Sequence, residues 1–398
     1  MNYNKFMKGG VAAVMAMSLV ACSSGDTSDS GNTGAAGTAF KIGVSGPLTG
    51  DNAVYGLAVQ RGAEIAVEEI NAKGGVQLEF MMEDDQADGE QAVTAFNTLM
   101  DNGMQISLGT VTSGAGQSVS PLYADENMFV LTPSGSSTAI IYRNTEQETD
   151  PYGNIFQMCF TDPNQGVASA DYISEHEELG TKVGVIYRND DNYSNGLYTK
   201  FMAEAKELGL EVVAQEAFQE GTTDFSVYVQ KCAEAGADIV FLPIYYQPAS
   251  QILTEADRQG YDATFFGCDG MDGILTLEGF DTSLAEGLYM LTPFSADATD
   301  DLTVSFVEKY KERNDDEIPN QFAADAYDAV YAIAQALEAA DVTAEDDVAT
   351  IKDALVEQFT SMTFNGLTGT DVTWNENGEV SKAPKAVVIQ DGAYVGVE

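Results

Sequence analysis

Short apolar runs alternate with longer stretches of helical period from residue 40 to about residue 267, and this alternation constrains the fold more than any other feature. Parallel strands need a crossover between them, usually a helix, so the pattern predicts parallel α/β architecture. A first series reads strand 40–44, helix 54–71, strand 76–82, helix 87–100, strand 105–108, helix 116–125 and strand 128–131. Ala63, Ile65, Ala66, Val67 and Ile70 supply most of the first helix's apolar surface, and Lys73-Gly74-Gly75 ends it. A second series reads helix 165–179, strand 182–187, helix 194–208, strand 210–214, helix 225–235, strand 238–242, helix 249–259 and strand 263–267. Two such series predict two similar lobes. A (β/α)8 barrel would instead repeat eight even units. Beyond them the rhythm breaks: helices are expected at 302–311, 321–340 and 348–358, then β pieces at 372–374 and 386–390.

The chain start reads as a processing signal. Lys5 and Lys8 flank an apolar stretch, 9–21, that is short of the roughly 20 apolar residues of a membrane span. Leu19-Val20-Ala21-Cys22 resembles the bacterial lipobox, in which Cys22 would receive lipid and become the first mature residue. The alternative is an uncleaved anchor with an incidental cysteine. Residues 22–37 are mostly Ser, Gly, Thr, Asp, Asn and Ala, too polar to offset the cost of ordering, and are expected to form a tether. The remaining residues suffice for two ordinary domains.

Acidic residues number 63 against 18 basic ones, a formal charge of -45 that opposes binding to nucleic acid and favours solubility. Helical faces such as Glu175, Glu177 and Glu178 carry much of it, and it does not identify a ligand. Apart from Cys22, the cysteines are Cys159, Cys232 and Cys268, whose spacing fits no metal motif. Buried free thiols are expected, with a Cys232–Cys268 bridge as the alternative. The single histidine, His176, reads as a solvated residue of an acidic helix. Asp84-Asp85 and Asp190-Asp191 could attract a cation but lack the spaced oxygen ligands of a calcium loop. No metal, cofactor or catalytic residue is expected, since no zinc, nucleophile-elbow, phosphate-loop or dinucleotide signature occurs.

Polar loops beyond strand ends are where open α/β sheets place ligands. Gly109 to Gln117 combines glycines, hydroxyls and a helix start, and so could cradle a carboxylate; an ordinary Ser/Gly-rich cap fits equally well. Thr132-Pro133-Ser134-Gly135-Ser136-Ser137 could add to the same crevice, or be a plain turn. Asp269 follows the strand 263–267 in the other series, where a carboxylate could receive an ammonium group. Tyr55, Tyr193 and Tyr245 lie in comparable loops, where rings pack on a ligand or simply on the core.

With these residues in place, the chain resembles the branched-chain amino acid-binding proteins, type I periplasmic substrate-binding proteins of ABC transporters, over residues 40–390. The resemblance runs through Ile42-Gly43-Val44-Ser45-Gly46-Pro47-Leu48-Thr49-Gly50, Tyr55-Gly56, Glu68 to Gly75, Thr132-Pro133, Gln165-Gly166, Tyr193, Gly196-Leu197 and Phe225-Ser226. It implies two Rossmann-like lobes with parallel-type sheets joined by a three-strand hinge. One lobe would hold 38–159 plus 290–365, the other 160–289 plus 366–398. It further implies that Ser113, Ser134 and Ser136 hold the carboxylate and ammonium of an amino acid, that Asp269 receives the ammonium, and that Tyr55, Tyr193, Tyr245 and Phe322 surround the ligand. The implied partners are that ligand and the permease subunits of an ABC importer. The implied setting is a monomer, lipid-anchored to the cell membrane and facing outward. Departures bear on the ligand: Asp269 stands where glutamate is common, Ser136 where threonine is usual, and Asp88 and Thr112 lie near the place of the family's disulfide. Relatives on this fold take other amino acids, urea, short amides or aromatic acids, and a sensory receptor lobe would look alike.

Overall fold

Two sheets carry the fold in the computed structural model, which describes residues 38–145 and 147–397. The signal 1–21, Cys22 and the tether 22–37 lie outside the described residues. The first part of the chain forms β1 (Phe40–Gly46), α1 (Ala53–Lys73), β2 (Leu78–Asp84), α2 (Gly89–Asp101), β3 (Ile106–Thr110), α3 (Ser113–Asp125) and β4 (Phe129–Thr132). A small hairpin, β5 (Tyr142–Asn144) and β6 (Thr149–Pro151), precedes β7 (Ile155–Gln157). The first sheet runs β2-β1-β3-β4-β7, all parallel. Its central strands β3 and β4 are wholly buried, as expected of strands covered on both faces.

The second part forms α4 (Asp162–Glu175), β8 (Lys182–Arg188), α5 (Asn192–Leu208), β9 (Glu211–Phe218), α6 (Ser226–Ala235), β10 (Ile239–Leu242), α7 (Tyr246–Gln259), β11 (Thr264–Gly267) and β12 (Tyr289–Thr292). Then come α8 (Asp301–Arg313), α9 (Gln321–Ala339), α10 (Val348–Phe359), β13 (Lys385–Gln390) and β14 (Ala393–Val397). The second sheet runs β14-β13-β12-β11-β10-β8-β9. Its expected parallel character holds through β12, but β13 and β14 are added antiparallel. Asp391 and Gly392, both at positive φ, make the two-residue turn between them, the geometry a type I′ hairpin demands.

The tail helices return to the first sheet. Gly62 of α1 lies so close to α9 that a Cβ there would sit 2.0 Å from the Ala323 carbonyl oxygen. Phe359 of α10 packs against Phe129 and Phe156, with ring centroids 4.8 and 5.6 Å away. The chain therefore passes between the sheets after β7, after β12 and before β13.

The last passage differs from expectation. Residues 366–382, expected in the second lobe, pack on the first: Thr368 donates to Asp328, Trp374 Nε1 donates to the Gln157 carbonyl at 2.7 Å, and Lys382 pairs with Asp325 at 2.6 Å. The expected strand 372–374 is reduced to isolated bridges, Phe364 with Val372 and Trp374 with Val380, and its backbone groups bond within the segment, to Phe364 and Ser381. Gly378, at φ 90°, abuts β7, and its carbonyl accepts from Gln157 N at 2.9 Å.

Cys159, Cys232 and Cys268 are buried free thiols, so the alternative Cys232–Cys268 bridge is not formed. His176 is not fully solvated: its ring stacks on Tyr172 at 4.1 Å and bonds Glu178. Asp84 accepts from Leu48 N and Gln86 N, Asp85 accepts from Ala87 N, Asp190 pairs with Arg188 and Asp191 caps α5, so both acid pairs are engaged within the protein. Among the described residues no cluster of three acids, histidines or cysteines is placed to hold a metal, and no helix is long and apolar enough to cross a membrane.

Candidate functional site

The segments after β1, β3, β4, β8, β10 and β11, together with the start of α9, enclose a cavity of about 250 Å³. Tyr55, Ser113, Ser134, Ser136, Tyr193, Tyr245, Asp269 and Phe322 all line it, so every candidate side chain on the described residues meets at one place. Val111 and Thr112, within the expected cradle 109–117, and Gly270, next to Asp269, complete the wall. A larger groove of about 1150 Å³ beside Glu69 and Tyr331 is less apt, because Glu69 already accepts from Tyr327 and Tyr331 and pairs with Lys309.

Local structure sets each contribution. The α3 helix starts at Ser113, three residues before the expected start, so Ser113 occupies its first turn and not a loop. The first N–H groups of that turn lack acceptors within the helix and carry the positive end of its dipole. Ser113 Oγ accepts from Ser137 N at 3.3 Å, which leaves its own proton free to donate. Ser134 Oγ donates to the Val111 carbonyl at 2.7 Å and fixes the loop after β4 against the loop after β3. Tyr55 and Tyr193 are likewise in first turns, of α1 and α5, and Tyr245 is the N-cap of α7. Helix starts hold rings more rigidly than the loops that were expected.

The rings form one stack-and-edge cluster. Tyr193 lies parallel to Tyr245 at 4.9 Å, and Tyr55 meets Tyr245 and Phe322 at 5.5 and 4.7 Å. Tyr55 also joins the two sides, its hydroxyl donating to the Gly270 carbonyl at 2.6 Å. Tyr246 OH donates to the Asp51 carbonyl at the same distance. A side chain at position 270 would collide with the Tyr193 hydroxyl, 2.7 Å from a Cβ, so close approach requires glycine there.

Asp269 is only 3% exposed. Burial pushes its carboxyl up to about 6, against bonds from Tyr193 OH (2.6 Å, to Oδ1) and Gln165 Nε2 (2.8 Å, to Oδ2). No cation pairs with it among the described residues. Gln165 also accepts from Asp269 N at 3.1 Å, and thus fixes the acid from both ends. A second acid, Asp162, is buried nearby with neither oxygen at hydrogen-bonding geometry, and burial pushes it well above the usual carboxylate range. Gln165 stands 104 residues from Asp269, so only the fold pairs them.

The arrangement opposes a helix N-terminus with free donors to a buried acid without a cation. It suits a ligand with an anionic and a cationic end. It offers no activated nucleophile: burial raises the neighbouring Cys268 thiol well above its ordinary value.

Residues 39–393 match the model of the periplasmic binding protein family. The leucine-, isoleucine-, valine-, threonine-, and alanine-binding protein of Pseudomonas aeruginosa is 29% identical, covering 86% of this chain and 87% of that protein. Among solved structures, the branched-chain amino acid transporter substrate binding protein of Streptococcus pneumoniae, in complex with isoleucine, superposes with a TM-score of 0.77. It has 26% identity over 90% of this chain and 100% of that one. A solute binding protein from R. palustris in complex with benzoate shares the fold, with a TM-score of 0.78 and 18% identity over 90% of this chain and 96% of that one. The chain belongs to the periplasmic binding protein family, on its type I fold and of its branched-chain amino acid type.

Proposed function

We propose that this chain is the extracytoplasmic substrate-binding lipoprotein of an ABC importer and binds an α-amino acid in the cavity between its sheets. The observation that carries this reading is the opposition of Asp269, buried without a cation, to the first turn of α3 at Ser113. A zwitterion entering such a cavity loses water at both ends, and each charge needs a partner there. Asp269 receives the ammonium; Ser113 and the adjacent N–H groups hold the carboxylate. Ser134 and Ser136 contribute further hydrogen bonds, and Tyr55, Tyr193, Tyr245 and Phe322 enclose the rest. Cys22 carries the lipid that keeps the monomer at the membrane, where permease subunits take the ligand. The amino acid ligands named for the Pseudomonas and Streptococcus relatives support the ligand class.

A thermal-shift screen of amino acids, short amides, urea and benzoate tests it. A ligand that binds only the folded state adds about 2.7 kcal/mol of apparent stability at a hundred times its Kd. An α-amino acid is expected to raise the melting temperature. A response to urea, an amide or benzoate alone would remove the amino acid reading and leave the fold untouched. Mass spectrometry of the native amino terminus checks the lipid on Cys22.

A further inference from the structure

Thr112 is the N-cap of α3, with extended backbone at φ -103° and ψ 150°. A threonine there ordinarily turns its hydroxyl back to accept from an N–H of the first turn. At α2, α5, α8, α9 and α10 the cap side chain does this. At α3 it does not: Thr112 makes no side-chain cap bond, and neither do Asn52 at α1 and Thr161 at α4. Its Oγ1 is nonetheless buried and has no hydrogen-bond partner, and the residue, 6% exposed, lines the cavity. Buried hydroxyls without partners are rare in folded proteins, and an exception calls for an explanation such as a ligand.

Four other polar groups at this wall already make bonds within the protein. Ser134 donates to Val111, Ser113 accepts from Ser137, Tyr55 donates to Gly270 and Tyr193 to Asp269. The Thr112 hydroxyl keeps both a proton to donate and lone pairs to accept with. That pairing capacity matches another hydroxyl and not a methyl group.

We propose that Thr112 is a specificity-determining residue whose hydroxyl bonds the side chain of a small hydroxyl-bearing amino acid. The cavity then takes threonine ahead of valine, which has the same shape but leaves Thr112 unpaired. This inference rests on the amino acid reading above. Desolvation gives it its sign: threonine loses one water contact and regains it from Thr112, whereas valine leaves a buried polar group without a partner.

Calorimetry with L-threonine and L-valine on the purified protein tests it, using Thr112→Val, which keeps the shape, and Thr112→Ser, which keeps the hydroxyl. The parent should bind threonine about tenfold tighter than valine, the ratio of one net hydrogen bond. Thr112→Val should bring the two ligands within about threefold, and Thr112→Ser should keep the preference. Equal or tighter binding of valine by the parent, or a threonine preference that survives Thr112→Val, would overturn the inference while leaving the amino acid reading intact. Binding of none of the twenty amino acids would sink both.

Discussion

Asp269 and Asp325 are both buried acids whose carboxyls are pushed up, to about 6 and about 7, mainly by lost solvation, yet their surroundings differ in kind. Asp325 on α9 has an internal cation: Lys382 Nζ lies 2.6 Å away, buried with it, and also donates to Thr368 at 2.7 Å. Asp269 has only neutral donors, Tyr193 and Gln165. An acid paired inside the protein holds the third passage against the first lobe. An acid left without a cation at a cavity wall is suited to one that arrives from outside. The difference separates structure from binding among groups that look alike in sequence.

The comparison breaks most visibly at Lys382. Lys382→Met leaves Asp325 buried and unpaired, and should cost about 3–5 kcal/mol of stability. Urea denaturation reads this as a lower midpoint. An unchanged midpoint would mean that Asp325 does not depend on its cation.

Asp269→Asn keeps the shape of the cavity acid but removes its charge. It should cost roughly 2–4 kcal/mol of amino acid affinity, by analogy with truncated charge pairs at interfaces. That is about 30- to 1000-fold by calorimetry. A variant that binds as tightly as the parent would remove Asp269 from the ammonium role. Ser113→Ala, on the opposing wall, should cost less, roughly 1–2 kcal/mol, because backbone donors of α3 remain.

The smallest effect is a pH dependence. Asp269 must be ionised to receive an ammonium, and its carboxyl titrates near 6. Affinity should therefore fall as pH drops through that value, by about tenfold at pH 5, while the Asp269→Asn curve stays flat over that range. Stability linkage has the opposite sign. The folded form holds this proton up to about 6 and the unfolded chain only to 3.8, so the group weighs increasingly against stability as pH rises through that window. A pH-independent affinity in the parent would detach binding from this carboxyl.

Long periodic segments were legible from the residues alone. The helix at 321–340 and the strand at 182–187 appear within a residue of their expected bounds, because burial of one face or of both imposes its period on the sequence. The strands β7, β12 and β14, of 3, 4 and 5 residues, were not expected, since so few positions show no period. The candidate cavity residues were legible as polar or aromatic positions next to strand ends, and the family resemblance named their partners across the chain.

By itself the sequence determined the α/β class, the two series of strands and helices, and the chemistry available at their ends, because these follow from local pattern and residue type. Tertiary structure alone decided that Gln165 and Tyr193 brace Asp269, that Lys382 neutralises Asp325, and that the Thr112 hydroxyl is buried without a partner. Each depends on contacts between segments far apart in the chain, or on whether a polar group finds a partner once buried. Desolvation acts on position in the folded molecule, and position is what local pattern does not carry.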